Sequence, residues 1–127
     1  MRELNVLVID KQVANRRACA AAFSTLGCRV AMAATGKQAL TPFAARRFDI
    51  VLLDPRDPCA DEILARLAPD QFAAAWCSDQ TPLSARFNGV LVKPINPLVA
   101  AVMVAVTRMA AGGPQSEPEL PELSAAA

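Results

Sequence analysis

The chain has no histidine among its 127 residues. That absence removes Ser/His/Asp and Cys/His nucleophilic systems, His-ligated zinc and any phosphohistidine relay carried by the chain itself. Its chemistry is left to carboxylates, hydroxyls, thiols and lysine. Aromatic residues amount to only 5%, and no run of Lys or Arg exceeds two residues. Both facts argue against nucleic acid as a partner. The four cysteines, Cys19, Cys28, Cys59 and Cys77, include no C-x-x-C pair, which reads as reduced, mostly buried thiols in a cytoplasmic protein. No segment has the form of a signal peptide or membrane span, since the longest apolar stretch, Pro97 to Thr107, is too short.

Apolar residues are plentiful, at 54% against 20% charged, so a chain of this length has the material for one folded core. Net charge is +1, but residues 112–127 hold Glu117, Glu119 and Glu122 without a Lys or Arg. Residues 1–111 therefore carry 13 basic and 9 acidic groups, a mild +4. The 112–127 stretch is rich in Pro and Glu and lacks periodicity, so it is read as a disordered tail or linker behind a single domain spanning 1–111.

Within 1–111, short aliphatic runs alternate with helix-like segments. Leu4 to Ile9 (LNVLVI), Cys28 to Ala33 (CRVAMA), Phe48 to Asp54 (FDIVLLD), Phe72 to Cys77 (FAAAWC) and Gly89 to Val92 (GVLV) read as strands. Helical spacing runs from Val13 to Leu26 with a Gly27 stop, from Lys37 to Arg47, and from Asp61 to Leu67. A last helix from Pro97 to Ala111 is expected to end at Gly112-Gly113-Pro114. Pro42 lies inside the second helical pattern, which should therefore start at it or kink near it. The alternation predicts an α/β fold: a five-stranded parallel sheet with helices on both faces.

In such a sheet, chemistry gathers at the carboxyl ends of the strands. Strand one ends at Asp10, strand three at Asp54, strand four at Ser78 and strand five at Lys93-Pro94. Two carboxylates, a hydroxyl and an ammonium thus converge on one rim. A pair of carboxylates suits a hard cation such as Mg2+, and a fixed carboxylate can attack a phosphoryl group whose oxygens a hydroxyl and an ammonium would hold.

At this point the sequence resembles the receiver domains of two-component response regulators (CheY-like, flavodoxin-like), and among them the receivers of hybrid histidine kinases. The resemblance covers about residues 3 to 111. It rests on VLVID, the NRR run at Asn15 to Arg17, TLGCRVAMAATGKQAL, FDIVLLDPRDP and the VKP of Val92 to Pro94. It implies that Asp54 is the phosphoacceptor, Lys93 the family's lysine, and Ser78 the hydroxyl that tracks phosphorylation. Asp10 would be a metal-site acid and Arg56 the residue whose backbone carbonyl completes the metal shell. The implied partners are a histidine kinase, a phosphotransfer protein or a sister signalling domain, with homodimerisation as a further route, and no nucleic acid or membrane.

Three departures accompany the likeness. Lys11 stands where the family has its second acid, which changes the local charge by two units and weakens any Mg2+ site; the same ammonium is expected to neutralise Asp10 and Asp54 in place of the ion. Only 14 residues separate Ser78 from Lys93, so the fourth helix is expected to be shortened or missing, around 82–86. Val90 occupies the strand-five position where the family carries an aromatic switch. The expectation is a degenerate pseudo-receiver, a signalling module rather than an enzyme, with impaired metal-dependent phosphorylation at Asp54. The alternatives are a working phosphorelay receiver and a small carboxylate-based phosphatase.

Plainer roles stand beside these. Asp10 could cap the following helix and Asp54 the turn at Pro55. Asp57 has the wrong spacing for a second phosphatase acid. Asp61 and Glu62 suit the solvated start of the third helix, Arg16-Arg17 and Arg46-Arg47 suit solvated faces, Met103 and Met109 suit packing, and Trp76 suits the core.

Overall fold

The computed structural model describes residues 3–78 and 87–116, with the backbone alone for 111–116. Five strands, β1 (Asn5–Ile9), β2 (Arg29–Ala33), β3 (Ile50–Leu53), β4 (Phe72–Cys77) and β5 (Gly89–Val92), form one sheet in the order β2-β1-β3-β4-β5. Every pairing is parallel. The central strands are those with unbroken apolar runs: IVLL of β3 is buried throughout, and β4 is buried from Ala73 to Cys77. The edge strands β2 and β5 expose part of their length, as expected when only inner strands have both faces covered.

Four helices cover the described sheet: α1 (Val13–Thr25), α2 (Gly36–Ala45), α3 (Ala60–Ala65) and α4 (Pro97–Ser116). Because side chains alternate across a strand, the inner strands β1, β3 and β4 feed two cores. Val6, Val8, Ile50, Leu52 and Trp76 pack with Phe23 of α1 and Ala100, Met103 and Val104 of α4. Leu7, Val51, Leu53, Ala73 and Ala75 pack on the opposite face with Ala39 of α2 and Ile63 of α3. Cys19, Cys28 and Cys77 are buried and Cys59 half-buried, all as free thiols.

Several boundaries differ from the sequence expectation. α2 begins at Gly36, ahead of Pro42, because Thr35 caps it: the Thr35 hydroxyl accepts the Gln38 N–H at 3.2 Å. Pro42 then occupies the second turn at the loss of one donor. α3 is shorter than Asp61 to Leu67, ending at Ala65. α4 does not stop at Gly112-Gly113-Pro114 but continues to Ser116; glycine lowers helix propensity by about 1 kcal/mol without forbidding helical backbone. The expected short helix around 82–86 and the segment 117–127 lie outside the described residues. Among the described residues no helix is long and apolar enough to cross a membrane.

Sheet order places the site. Chain direction across the sheet reverses between β1 and β3, where α/β sheets open a crevice at their carboxyl end. The register pairs Val8 with Leu52, so two residues on Asp10 comes level with Asp54. Leu53 pairs with Ala75 and Trp76 with Leu91, which brings Trp76 into the same row and Lys93 two residues beyond it. Strand alternation then points Asp10, Asp54, Trp76 and Lys93 to one face.

Candidate functional site

At that rim lies a cleft of about 360 Å3 whose lining includes Asp10, Lys11, Asp54, Arg56, Asp57 and Lys93. Asp10 is buried and accepts from three sides. The Lys93 ammonium lies 2.7 Å from its Oδ2, the Trp76 indole N–H donates to the same oxygen at 2.7 Å, and the Gln12 backbone N–H donates to Oδ1 at 2.8 Å. Burial alone would push this carboxyl upward, but Lys93, the Gln12 N–H and the indole together hold it below the usual carboxylate value. The Lys93 ammonium also sits 5.5 Å from the centroid of the Trp76 ring, within reach of the ring's negative face.

Asp54 answers to a different cation. Its Oδ1 accepts the Arg56 backbone N–H at 2.8 Å and Nε at 3.2 Å, and its Oδ2 accepts Nη2 at 3.3 Å. Burial again pushes upward and the Arg56 contacts outweigh it, with a smaller pull from Lys93, so the carboxyl lies below its ordinary value. The neighbouring Asp57 has both oxygens occupied by backbone: Oδ2 accepts the Gly36 N–H at 2.9 Å and Oδ1 the Cys59 N–H at 2.8 Å. Asp10, Asp54 and Asp57 each accept an N–H two residues downstream, the turn-forming habit of short acids. The plainer role foreseen for Asp54 at its turn is therefore present in the structure; Asp10 folds the turn ahead of α1 rather than capping the helix itself.

The sequence-selected residues do not all meet. Asp10, Lys11, Asp54, Arg56 and Lys93 share the cleft; Ser78 stands exposed just past β4 and is not in its lining. Lys11 is exposed at the rim and makes no ion pair among the described residues. The neutralisation expected of Lys11 is divided instead between Lys93 on Asp10 and Arg56 on Asp54, because both of those cations approach from strand or turn positions facing the acids. Arg16 also departs from a solvated role: its Nη1 donates to the carbonyls of Asp10 at 2.7 Å and Lys11 at 3.1 Å, bracing the loop after β1. Arg47 pairs with Asp70 at 2.8 Å, and Met109 is exposed rather than packed. Trp76 is core, as read, yet its indole reaches the site. The one signal for this was its parity: Trp76 shares a strand face with a rim acid two strands away.

The donor set does not fit a divalent cation as it stands. Mg2+ needs near-octahedral oxygen ligands, whereas Asp10 has an ammonium and two N–H donors on its oxygens and Asp54 a guanidinium. No cluster of three His, Cys, Asp or Glu residues able to hold a metal occurs among the described residues. What the arrangement does provide is two acids, Asp10 and Asp54, each paired with a basic side chain.

No family model and no curated protein matches the chain. Solved structures match it closely in shape. A CheY-like receiver domain protein from Methanospirillum hungatei JF-1 superposes with a TM-score of 0.74 at 18% identity, covering 88% of this chain and 99% of the other. The chemotaxis response regulator CheY4 of Vibrio cholerae gives 0.68 at 21% identity over 84% and 99%. The signal receiver domain of an HD domain-containing protein from Pseudomonas fluorescens Pf-5 gives 0.68 at 22% identity over 94% of each chain. The chain has the fold of a CheY-like response-regulator receiver domain.

Proposed function

We propose that the protein is a receiver-type module of two-component signalling that works through protein contact, as a pseudo-receiver in which metal-dependent phosphorylation at Asp54 is impaired. In this reading residues 1–111 are the signalling domain, and its partners are a histidine kinase, a phosphotransfer protein or a sister domain. The observation that carries it is the pairing of Lys93 with Asp10 at 2.7 Å, in a cleft where Lys11 stands in place of a further acid. A receiver that transfers phosphoryl groups through a metal needs its acids available to the ion; here Asp10 and Asp54 are each held by a basic side chain. The weak Mg2+ binding expected from Lys11 is reinforced by Lys93 and Arg56, which an incoming ion would have to displace.

Incubation with acetyl phosphate and Mg2+, followed by intact-mass measurement of wild type and Asp54→Asn, tests the reading. The expected result is little or no added phosphoryl mass in either protein. Near-stoichiometric addition to wild type that disappears in Asp54→Asn would establish the working phosphorelay receiver instead. Turnover of simple phosphate esters would favour the phosphatase.

A further inference from the structure

Two features of the chain lie outside the cleft and match each other. One is a groove on α1. Ala18, Ala21, Ala22 and Leu26 of the helix, with Ile95 and Pro97 from the β5–α4 junction, line an open apolar hollow of about 400 Å3. Ala22, Leu26 and Ile95 pack against the core beneath, so the floor is fixed while the small alanines leave room above it. Cations flank the groove. Arg17 is exposed one position ahead of Ala18, and the Arg108 guanidinium lies beside Gly27 at the far end of α1.

The other feature is the stretch that follows α4. It has neither helical nor strand periodicity, but the triplet Pro-Glu-Leu occurs twice in it, at 118–120 and 121–123. A repeat of three matches the polyproline II helix, which has three residues per turn. Pro118 and Pro121 fix their own φ, and Glu117 and Leu120 are confined because each precedes a proline. In that conformation Leu120 and Leu123 share one edge and Glu119 and Glu122 another. An apolar edge beside an acidic one complements alanines between arginines, and the restricted backbone lowers the entropy lost on docking.

We infer that residues 117–123 dock along the α1 groove of the same chain, with Leu120 and Leu123 in the hollow and the glutamates toward Arg17 and Arg108. Reach permits it. From Arg108 the helix continues to Ser116, about 12 Å at 1.5 Å per residue. From Ser116 to Leu120 a chain rising about 3.1 Å per residue recovers the same distance. A reversal after Ser116 therefore brings Leu120 level with the Leu26 end of the groove, and Leu123 about 9 Å farther up, beside the alanines.

Charge decides between this groove and the outer face of α4, which is also apolar. Between Pro97 and Ala110 only Arg108 is charged, and it sits on the α1 side, so the glutamates gain nothing from the outer face. The tether holds the segment at an effective concentration on the order of millimolar. A contact too weak to join separate molecules is thus populated within one. The inference goes beyond the proposed function and is independent of the state of Asp54.

NMR of the full chain with labelled methyl groups tests it. Leu120 and Leu123 are expected to show cross-relaxation with the methyls of Ala18, Ala21 and Ala22. Replacing both, Leu120→Ser with Leu123→Ser, should shift the amide resonances of 18–26 and of Ile95 and leave those of β3 in place. From the groove side, Ala21→Glu at an exposed position should abolish the contacts, and Arg17→Glu should reduce them about twofold or more. If one of these variants loses helix content by circular dichroism, the other carries the comparison. Absence of any contact between the two leucines and α1 overturns the proposal, as do contacts to Val102 and Val106 on the outer face of α4. Contacts found only between labelled and unlabelled chains in a mixed sample put the segment on a second copy and overturn it equally, as do contacts that survive Ala21→Glu in the folded protein.

Discussion

Lys93 sets its ammonium on Asp10 at 2.7 Å, an acid whose side chain is only 3% exposed. The pair ties the end of β5 to the end of β1, across the two strands that lie between them in the sheet. Trp76 on β4 completes it by donating to the same carboxylate oxygen. The cleft is consequently cross-braced, with the charge of its deepest acid already satisfied.

The indole bond is open to direct test. Trp76→Phe keeps most of the buried ring and deletes the N–H, leaving Asp10 one donor short in a buried setting. Removing one partner of a buried hydrogen bond costs about 1–3 kcal/mol, and urea unfolding followed by circular dichroism should show a loss in that range. An unchanged midpoint would mean that the Trp76 N–H contributes nothing to holding Asp10.

Much of the fold was legible because its central strands are continuous aliphatic runs, and LNVLVI and FDIVLLD admit little else. The rim acids followed from where those runs stop. What was not legible is which cation serves which acid. Sequence places Lys11 next to Asp10, but adjacency along a chain is not adjacency across a sheet: Lys11 turns out to the rim while Lys93, 83 positions away, faces inward. Arg56 reaches Asp54 only because the turn after β3 folds its side chain back. Trp76 was hidden for a related reason, since its partner is defined by register between strands rather than by any local pattern. Pro42 and the Gly112-Gly113 pair misled because local propensity yields to capping and to helical continuity.

The depressed carboxyls fix the sign of an acid dependence. Asp10 and Asp54 lie below their ordinary values in the folded protein, so the unfolded chain binds more protons as pH falls. Their stabilising effect is complete above the unfolded carboxylate value, about 3.9 for Asp, and is lost as pH drops through the folded values. Asp54 is the more exposed of the two and the more screened. Urea midpoints measured from pH 7 to pH 3 should therefore fall more steeply for wild type than for Asp10→Asn. Parallel curves would show that Asp10 is not the group responsible.

Metal affinity should be recoverable. Lys11→Asp adds an acid at the rim and removes a cation, and should raise Mg2+ affinity about tenfold or more, since each charge in so small a site acts over a few ångströms. The only tryptophan, Trp76, touches Asp10, so its fluorescence reports the titration. Arg56→Ala in addition should strengthen binding further by freeing Asp54. If neither variant binds Mg2+ more tightly than wild type, charge is not what limits the site.

Gly36 is required by the Asp57 carboxylate, which receives its N–H at 2.9 Å. A Cβ at this position would overlap Asp57 Oδ1, so Gly36→Ala must push the acid off the start of α2. Such overpacking costs about 1–3 kcal/mol, visible as a lower thermal midpoint. In a Gly36→Ala, Asp57→Ala double variant the clash is gone, and the two losses should add to less than their sum. Strict additivity would place the strain elsewhere.

The strongest test of the cross-brace is to remove its cation. Lys93→Met keeps the aliphatic stem and leaves Asp10 with the indole and one backbone N–H. Breaking a buried pair from one side is costly, about 3–5 kcal/mol, because the surviving charge stays in a poorly solvated place. The loss should be largest near neutral pH and shrink as acid protonates Asp10, whose carboxyl has lost the part of its downward pull that Lys93 supplied. Asp10→Asn added to Lys93→Met removes the stranded charge, so the double variant should be more stable at pH 7 than Lys93→Met alone. If instead the second substitution deepens the loss, the ammonium and the carboxylate contribute separately, and the Lys93–Asp10 pair does not hold the two strand ends together.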